Sequence, residues 1–131
     1  MKILILLLFN IFLYSNTGFS QVDNDVSTRV EQMPQFKDGV EAMYKFIYEK
    51  IKYPAEARKK RVLGQVVSKF IVDENGLLKD IHIVRGIGYG CDEEVVRILE
   101  LMNSEKLWKA GTINGEPVPV DYTLPIKFVL R

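Results

Sequence analysis

The sequence predicts an α+β fold: a small three-stranded antiparallel sheet with helices packed on one face. Two observations lead to this prediction: a β-hairpin pattern over residues 64–90, and apolar residues at every even position near the C-terminus with mostly polar residues between them. Helical patterns lie before and after the hairpin. Because an isolated hairpin is barely stable in water, its apolar face needs a cover, and the helices supply it.

The hairpin is defined by its first arm and its turn. The apolar residues on one face of the first arm are Val66, Phe70 and Val72. The turn is Asp73-Glu74-Asn75-Gly76, in which Asn-Gly tolerates positive φ angles. The return arm breaks strict alternation between Leu78 and Ile81, and this step predicts a β-bulge or a local twist.

Apolar residues at helical spacing predict the helices that cover the sheet. Asp38 is a natural N-cap for the first helix, which must stop near Tyr53 because Pro54 disfavours helical geometry before it. The apolar stripe of this helix is Val40, Met43, Tyr44, Ile47 and Ile51. Pro54 then opens a short helix. A further helix follows Gly90 with the stripe Val95, Ile98, Leu99 and Met102, and Trp108 is expected to fill the core at its end.

The last strand is expected to leave one edge of the sheet free. Its even-numbered residues from Val118 to Leu130 are apolar, which is typical of a half-buried strand. Pro119 and Pro125 share parity, so both missing N–H donors fall on one edge, and this edge should lack a ladder partner. The donors that remain there are Asp121, Thr123, Lys127 and Val129. An extended peptide can add to such an edge.

The N-terminal residues are typical of a secretory signal. Lys2 precedes an apolar run over residues 3–14, and small residues stand before a cut at Gln21. The run is short for a membrane span of about 20 residues, so cleavage is expected, with a short signal anchor as the alternative. The expected organisation is a signal segment at 1–20, a flexible lead-in at 21–35 and a folded domain at 36–131.

Composition and spacing argue against several functional classes. The 18 basic and 17 acidic residues nearly cancel, so nothing favours nucleic-acid binding. The lone His82 has no second ligand at metal-binding spacing, and Cys91 replaces the third glycine of a dinucleotide fingerprint, so no metal or cofactor is expected. Residues 92–94 are acidic but simply complement a helix start. Cys91 is interpreted as a small buried residue rather than a redox thiol, and no enzyme is expected.

Four segments are specific when their order and spacing are taken together. They are VEQMPQF at 30–36, IKYPAEARKKRVLGQVVSKFIVDENG at 51–76, GCDEEVVRILELM at 90–102 and NGEPVPVDYTLPIKFVL at 114–130. With these segments the sequence resembles the C-terminal domain of TonB energy transducers, in the form common in the Bacteroidetes. The resemblance implies a two-layer fold in the order helix, strand, strand, helix, strand.

The resemblance also implies a function. In this family the final strand pairs with the TonB box, a short extended segment of outer-membrane receptors, and the region corresponding to Tyr53-Pro54 lies near it. The expected partner-binding residues are therefore Tyr53, Pro54, Pro119, Asp121, Thr123, Pro125, Lys127 and Val129. The expected protein is a non-catalytic periplasmic domain that captures a TonB box by strand addition in TonB-dependent transmembrane transport.

Two alternatives stay open at this point. A working transducer of the family has an uncleaved inner-membrane helix and a long proline-rich spacer, whereas none of the five prolines here forms a spacer. If residues 1–20 remain as an anchor, the chain is a membrane-anchored transducer subunit that works with inner-membrane proton-channel proteins. If the free edge pairs with itself, the chain is a homodimer with a structural role in the envelope.

Overall fold

The computed structural model describes residues 30–130, so the expected signal segment lies outside the described residues. The elements, in chain order, are β1 (Gln35–Phe36), α1 (Val40–Lys50), α2 (Ala55–Lys59), β2 (Gly64–Val72), β3 (Leu78–Arg85), α3 (Cys91–Ser104), β4 (Trp108–Lys109), β5 (Gly111–Ile113), β6 (Glu116–Val118) and β7 (Val120–Phe128). This is an α+β fold, as predicted. Within residues 30–130, no helix is both long enough and apolar enough to cross a membrane.

The main sheet is antiparallel and has the strand order β3-β2-β7. The central strand β2 pairs with β7 over all nine residues of each strand without a shift. Its pairing with β3 shifts twice. One shift accommodates Asp80, which has a φ of 53° and lies between Leu78 and Ile81. The predicted bulge is therefore confirmed.

Helices cover one face of this sheet. The buried residues of the two long strands are Val66, Ser68, Phe70, Val72, Val120, Leu124, Ile126 and Phe128. The residues that pack on them from α1 and α3 are Met43, Ile47, Val95, Ile98, Leu99 and Met102. Ser68 has the only buried hydroxyl among these strand residues. This hydroxyl donates to the carbonyl of Leu124 at 3.0 Å, so it is not left without a hydrogen-bond partner in the core.

Trp108 fills the core where the two-stranded sheet of β1 and β4 meets the main sheet. It pairs with Phe36 between β4 and β1. Its ring makes edge contacts with the rings of Phe36, Phe70 and Tyr122 at centroid distances of 5.9, 5.6 and 4.9 Å. The indole N–H donates to the sulfur of Met102 at 3.2 Å. The predicted core position of this tryptophan is confirmed.

Two predictions about the start of α1 were wrong. Asp38 does not cap the helix: it has a φ of 68° in the turn after β1, and the cap residue is Gly39 without a side-chain hydrogen bond. The reason is that the chain reverses tightly there, with the Gly39 N–H bonded to the Phe36 carbonyl at 2.9 Å. Val40 is 61% exposed rather than buried, because it lies at the rim of a small cavity instead of over the sheet.

The last strand is shorter than predicted. The predicted strand is interrupted at Pro119, which lies between β6 and β7 and belongs to neither. β6 pairs with β5 through a tight turn at Asn114-Gly115, whose φ angles are 53° and 79°. The chain thus changes its pairing partner from β5 to β2 at a residue that has no N–H to donate.

The hairpin turn depends on Asp73, which is only 4% exposed. One carboxylate oxygen accepts the N–H groups of Asn75 and Leu77, each at 2.9 Å, and the other lies 3.2 Å from the ammonium of Lys79. Burial alone would raise the pKa of Asp73, but the two backbone N–H groups and Lys79 outweigh it and lower the pKa below its usual range. The folded state therefore favours the ionised carboxylate.

We expect Asp73→Ala to lower the free energy of unfolding by about 2 kcal/mol at neutral pH, because two turn N–H groups lose a charged acceptor. Since the folded pKa is depressed, this stabilisation is present above the unfolded value of about 3.9 and is lost as pH falls through the folded value. Urea unfolding of wild type and variant at neutral and acidic pH checks this. Glu74→Ala in the same turn is the control, and a difference that does not shrink in acid would contradict the expectation.

Candidate partner-binding site

β7 forms an outer edge of the main sheet, and among residues 30–130 only β2 pairs with it. Pro125 lies opposite Val67 in this register. Because proline has no N–H, this position cannot be a hydrogen-bonded pair, so the neighbouring residues Leu124 and Ile126 bond to β2. The N–H and C=O groups of the odd-numbered residues therefore point to the outer edge, as the parity of the prolines predicted.

The half of this edge nearest the start of β7 is open. Asp121 and Thr123 both have exposed side chains. Within the part of the chain that the structure describes, their outward N–H and C=O groups have no hydrogen-bond partner. These four backbone groups are the chemical means by which an extended segment can pair with β7.

The other half of the edge is covered by two tyrosines of α1. The Tyr48 hydroxyl donates to the Lys127 carbonyl at 3.3 Å and accepts the Lys127 N–H at 3.2 Å. The Tyr44 hydroxyl donates to the Pro125 carbonyl at 3.3 Å. The two rings are stacked, with centroids 6.2 Å apart and an interplanar angle of 18°. Lys127, expected as a free donor, is thus engaged by its own chain.

The pKa of Tyr44 is raised, first by burial and then by the neighbouring Tyr122 and Tyr48. Its hydroxyl therefore keeps its proton at neutral pH and remains a donor to the strand. The apolar stripe that the sequence predicts for α1 includes Tyr44 but not Tyr48. The spacing of four residues puts the two rings side by side on one helix face, but it gives no sign that they reach β7.

A cavity of about 310 Å³ lies beyond the covered half, at the end of β7. It is lined by Tyr48, Ile51, Tyr53, Arg58, Lys127, Phe128 and Val129. The Tyr53 hydroxyl donates to the Val62 carbonyl, and its ring packs edge-on against Phe128 with centroids 5.6 Å apart. The guanidinium of Arg58 lies 5.6 Å from the centre of the same ring. The structure therefore brings Tyr53, Lys127 and Val129 together around one cavity.

Two of the expected site residues lie elsewhere. Pro54 packs beside Gly90, where an added Cβ would come within 3.1 Å of it, so it supports the loop before α3. Pro119 lies before β7, at the end remote from the cavity. A smaller apolar cavity of about 130 Å³ opens near Tyr122 at that end, between the first turn of α1 and β1. Val129, in contrast, lies just after β7 beside the larger cavity, and it is 54% exposed.

The charges along the edge differ between its two ends. Asp121 stands exposed near the start of β7, whereas Lys127 and the nearby Arg58 stand exposed at its end. A bound segment with the opposite polarity would gain orientation from this arrangement. Arg58 stands in a basic run with residues 59–61, and such a run at a helix end is common on solvated surfaces, so the sequence alone does not mark Arg58 as a site residue.

The opposite edge of the sheet, formed by β3, is poorly suited to pairing. β3 shifts register twice against β2. Its exposed residues include Lys79, Asp80, His82 and Arg85. Bulges and charged side chains are the usual devices by which edge strands avoid new partners. β7, by contrast, runs in register with β2 along its whole length.

The acidic start of α3 serves the fold. One oxygen of Asp92 accepts the N–H groups of Ile87 and Gly88 at 2.9 and 3.4 Å, which fixes the loop before the helix. Glu94 forms a bidentate pair with Arg97 at 2.8 Å and accepts the N–H of Lys52. Both carboxylates therefore have structural partners rather than an open position for a substrate.

Cys91 is fully buried in the core. Burial raises the pKa of its thiol, and the neighbouring carboxylates of residues 92–94 raise it further. The thiolate is thus disfavoured, in spite of the helix start. Over residues 30–130, no group of His, Cys, Asp and Glu side chains is arranged to hold a metal ion.

Comparison with known proteins identifies a family. The family model described as Gram-negative bacterial TonB protein C-terminal matches residues 49–130, more than half of the chain. Among solved structures, the NMR solution structure of the Helicobacter pylori TonB C-terminal domain is similar, with 21% sequence identity and a TM-score of 0.47. That match covers 67% of this chain and 89% of the other. A comparison with curated proteins found no match.

Proposed function

The chain belongs to the Gram-negative bacterial TonB C-terminal family, and we propose that it captures a TonB box of an outer-membrane receptor by strand addition to β7. Membership of this family associates the chain with TonB-dependent transport and with the cell envelope. Domains of this family interact with TonB-dependent receptors and are not enzymes. The finer proposal concerns how this chain holds its partner.

The outward-pointing N–H and C=O groups of Asp121 and Thr123, two exposed residues on a strand in unbroken register with β2, carry the proposal. A partner strand would satisfy two N–H donors and two C=O acceptors at once. Each such hydrogen bond contributes a net free energy of about 1 kcal/mol, and association itself is costly. Four such bonds alone correspond to a Kd of about 1 mM, so contacts made by side chains of the segment must add to the affinity.

Charge supports one orientation of the captured segment. Asp121 at one end of the edge and Lys127 with Arg58 at the other favour a segment whose acidic end lies at the cavity near Tyr53. This polarity also gives Tyr53 and Val129 a role, since they line the same cavity. The main-chain bonds supply affinity, and the ends of the edge supply selectivity.

The test uses a capped TonB-box peptide and two N-methylated forms of it. N-methylation at alternate residues removes the N–H donors from one edge of the peptide and leaves the other edge intact. We expect the parent peptide and one methylated form to bind in a calorimetric titration, and the form methylated on its pairing edge not to bind. Equal binding of both methylated forms would contradict strand addition.

We also propose that the protein acts in the periplasm, because residues 1–20 have the pattern of a secretory signal. The intact mass of protein recovered from the native envelope tests this. A mass that begins at Gln21 supports a released periplasmic domain, whereas a mass that begins at Met1 supports the membrane-anchored subunit.

A further inference from the structure

The hydroxyl of Tyr48 performs the two tasks of a partner residue in a β-ladder. In an antiparallel ladder, a hydrogen-bonded pair exchanges one N–H and one C=O bond. Tyr48 accepts the N–H of Lys127 at 3.2 Å and donates to the C=O of the same residue at 3.3 Å. One side chain therefore occupies a position that an added strand would otherwise take.

The two tyrosines are held in place by the rest of the fold. α1 is fixed by Met43 and Ile47, which are buried in the core. Its end is tied to α3, because the Arg97 guanidinium donates to the Lys50 carbonyl at 3.0 Å. Stacking of the rings adds a further restraint, so the cover over residues 125–127 is part of the folded domain.

We propose that Tyr44 and Tyr48 set the register of strand addition, by closing the edge at Pro125 and Lys127 and directing the incoming segment to Asp121 and Thr123. This inference rests on the proposed function. A segment in any register that pairs with Lys127 must first displace the Tyr48 hydroxyl. A segment that pairs with Asp121 and Thr123 meets outward backbone groups that have no hydrogen-bond partner among the described residues, so it displaces nothing that the structure describes.

The tyrosines therefore weaken binding of the segment in registers that pair with Lys127, and they leave the register that pairs with Asp121 and Thr123 favoured. Removing the Tyr48 hydroxyl frees the N–H and C=O groups of Lys127 from their hydrogen bonds, so that displacement of the remaining ring by a segment breaks no hydrogen bond at Lys127. The captured segment would then pair over a longer stretch of β7. We expect the affinity for a TonB-box peptide to rise about three- to tenfold, the effect of about one net hydrogen bond.

The test is Tyr48→Phe, which keeps the ring and its stacking on Tyr44 and removes only the hydroxyl. In the free protein, the Lys127 amide should exchange with solvent roughly fivefold faster, because its acceptor is gone. With a capped TonB-box peptide, the variant should bind more tightly, and the Lys127 amide signal should now move strongly on binding. Tyr89→Phe, at an exposed tyrosine remote from β7 in sequence, is the matched control and should change neither result.

The outcomes separate the two proposals. Equal affinity of Tyr48→Phe and wild type with an unmoved Lys127 amide would overturn the register inference and leave strand addition intact. Weaker binding by the variant would also overturn it, since Tyr48 would then be a contact for the segment rather than a block. If the peptide binds neither protein, the proposed function fails and the register claim with it, whereas faster exchange at Lys127 would still identify Tyr48 as the cover of this edge.

Discussion

Replacing Thr123 with proline is expected to lower the affinity for a TonB-box peptide by at least about tenfold and to leave the domain folded. Thr123 has the same parity as Pro125, so its N–H points to the outer edge and takes no part in the ladder with β2. The proline removes one of the two open donors, and its ring obstructs the approach of another backbone. Pro125 itself shows that β7 accepts proline at such a position.

Calorimetric titration of the variant with the capped peptide measures this effect, and urea unfolding verifies that the fold persists. Thr123→Val is the control, because it changes the side chain and keeps the N–H. An affinity of Thr123→Pro equal to that of wild type would show that the segment binds elsewhere. A large loss of stability would instead show that the Thr123 N–H belongs to the ladder with β2.

Trp108→Ala should give the largest loss of stability, about 3–5 kcal/mol in the free energy of unfolding. The ring is 7% exposed and fills the space between Phe36, Phe70 and Tyr122. Its removal leaves a cavity. It also removes the ring contact of Tyr122, whose ring centroid lies 4.9 Å from that of Trp108 and which stands between the two open positions of β7. For a domain with a total stability of about 5–15 kcal/mol, this loss is severe.

Urea unfolding followed by circular dichroism measures the change without relying on tryptophan fluorescence. Trp108→Phe should lose much less, because a smaller aromatic ring still contacts its neighbours. A loss below about 1 kcal/mol for Trp108→Ala would contradict the central place given to this residue in the core.

Local patterns explain why so much of the fold was predictable. The hairpin followed from Asn75-Gly76 between apolar arms, and the stripe of α3 followed from helical spacing. The edge position of β7 followed from the shared parity of two prolines, one of which, Pro125, lies within the strand. In each case the residues that fix the element are neighbours in the sequence.

The parts that escaped prediction depend on contacts between distant segments. Tyr48 meets Lys127 across 79 positions of sequence, and nothing near either residue signals the contact. The break at Pro119 reflects a change of pairing partner from β5 to β2, which alternation alone does not reveal. Asp38 had the residue type of a cap, but the tight reversal after β1 required it in the turn instead.

The measurement that tests the central claim most directly is a map of backbone amide shifts during titration of the ¹⁵N-labelled domain with a capped TonB-box peptide. Strand addition to β7 predicts the largest shifts at Asp121 and Thr123, with smaller ones at Lys127 and Val129. Largest shifts along β3 or confined to the helices would contradict capture at this edge.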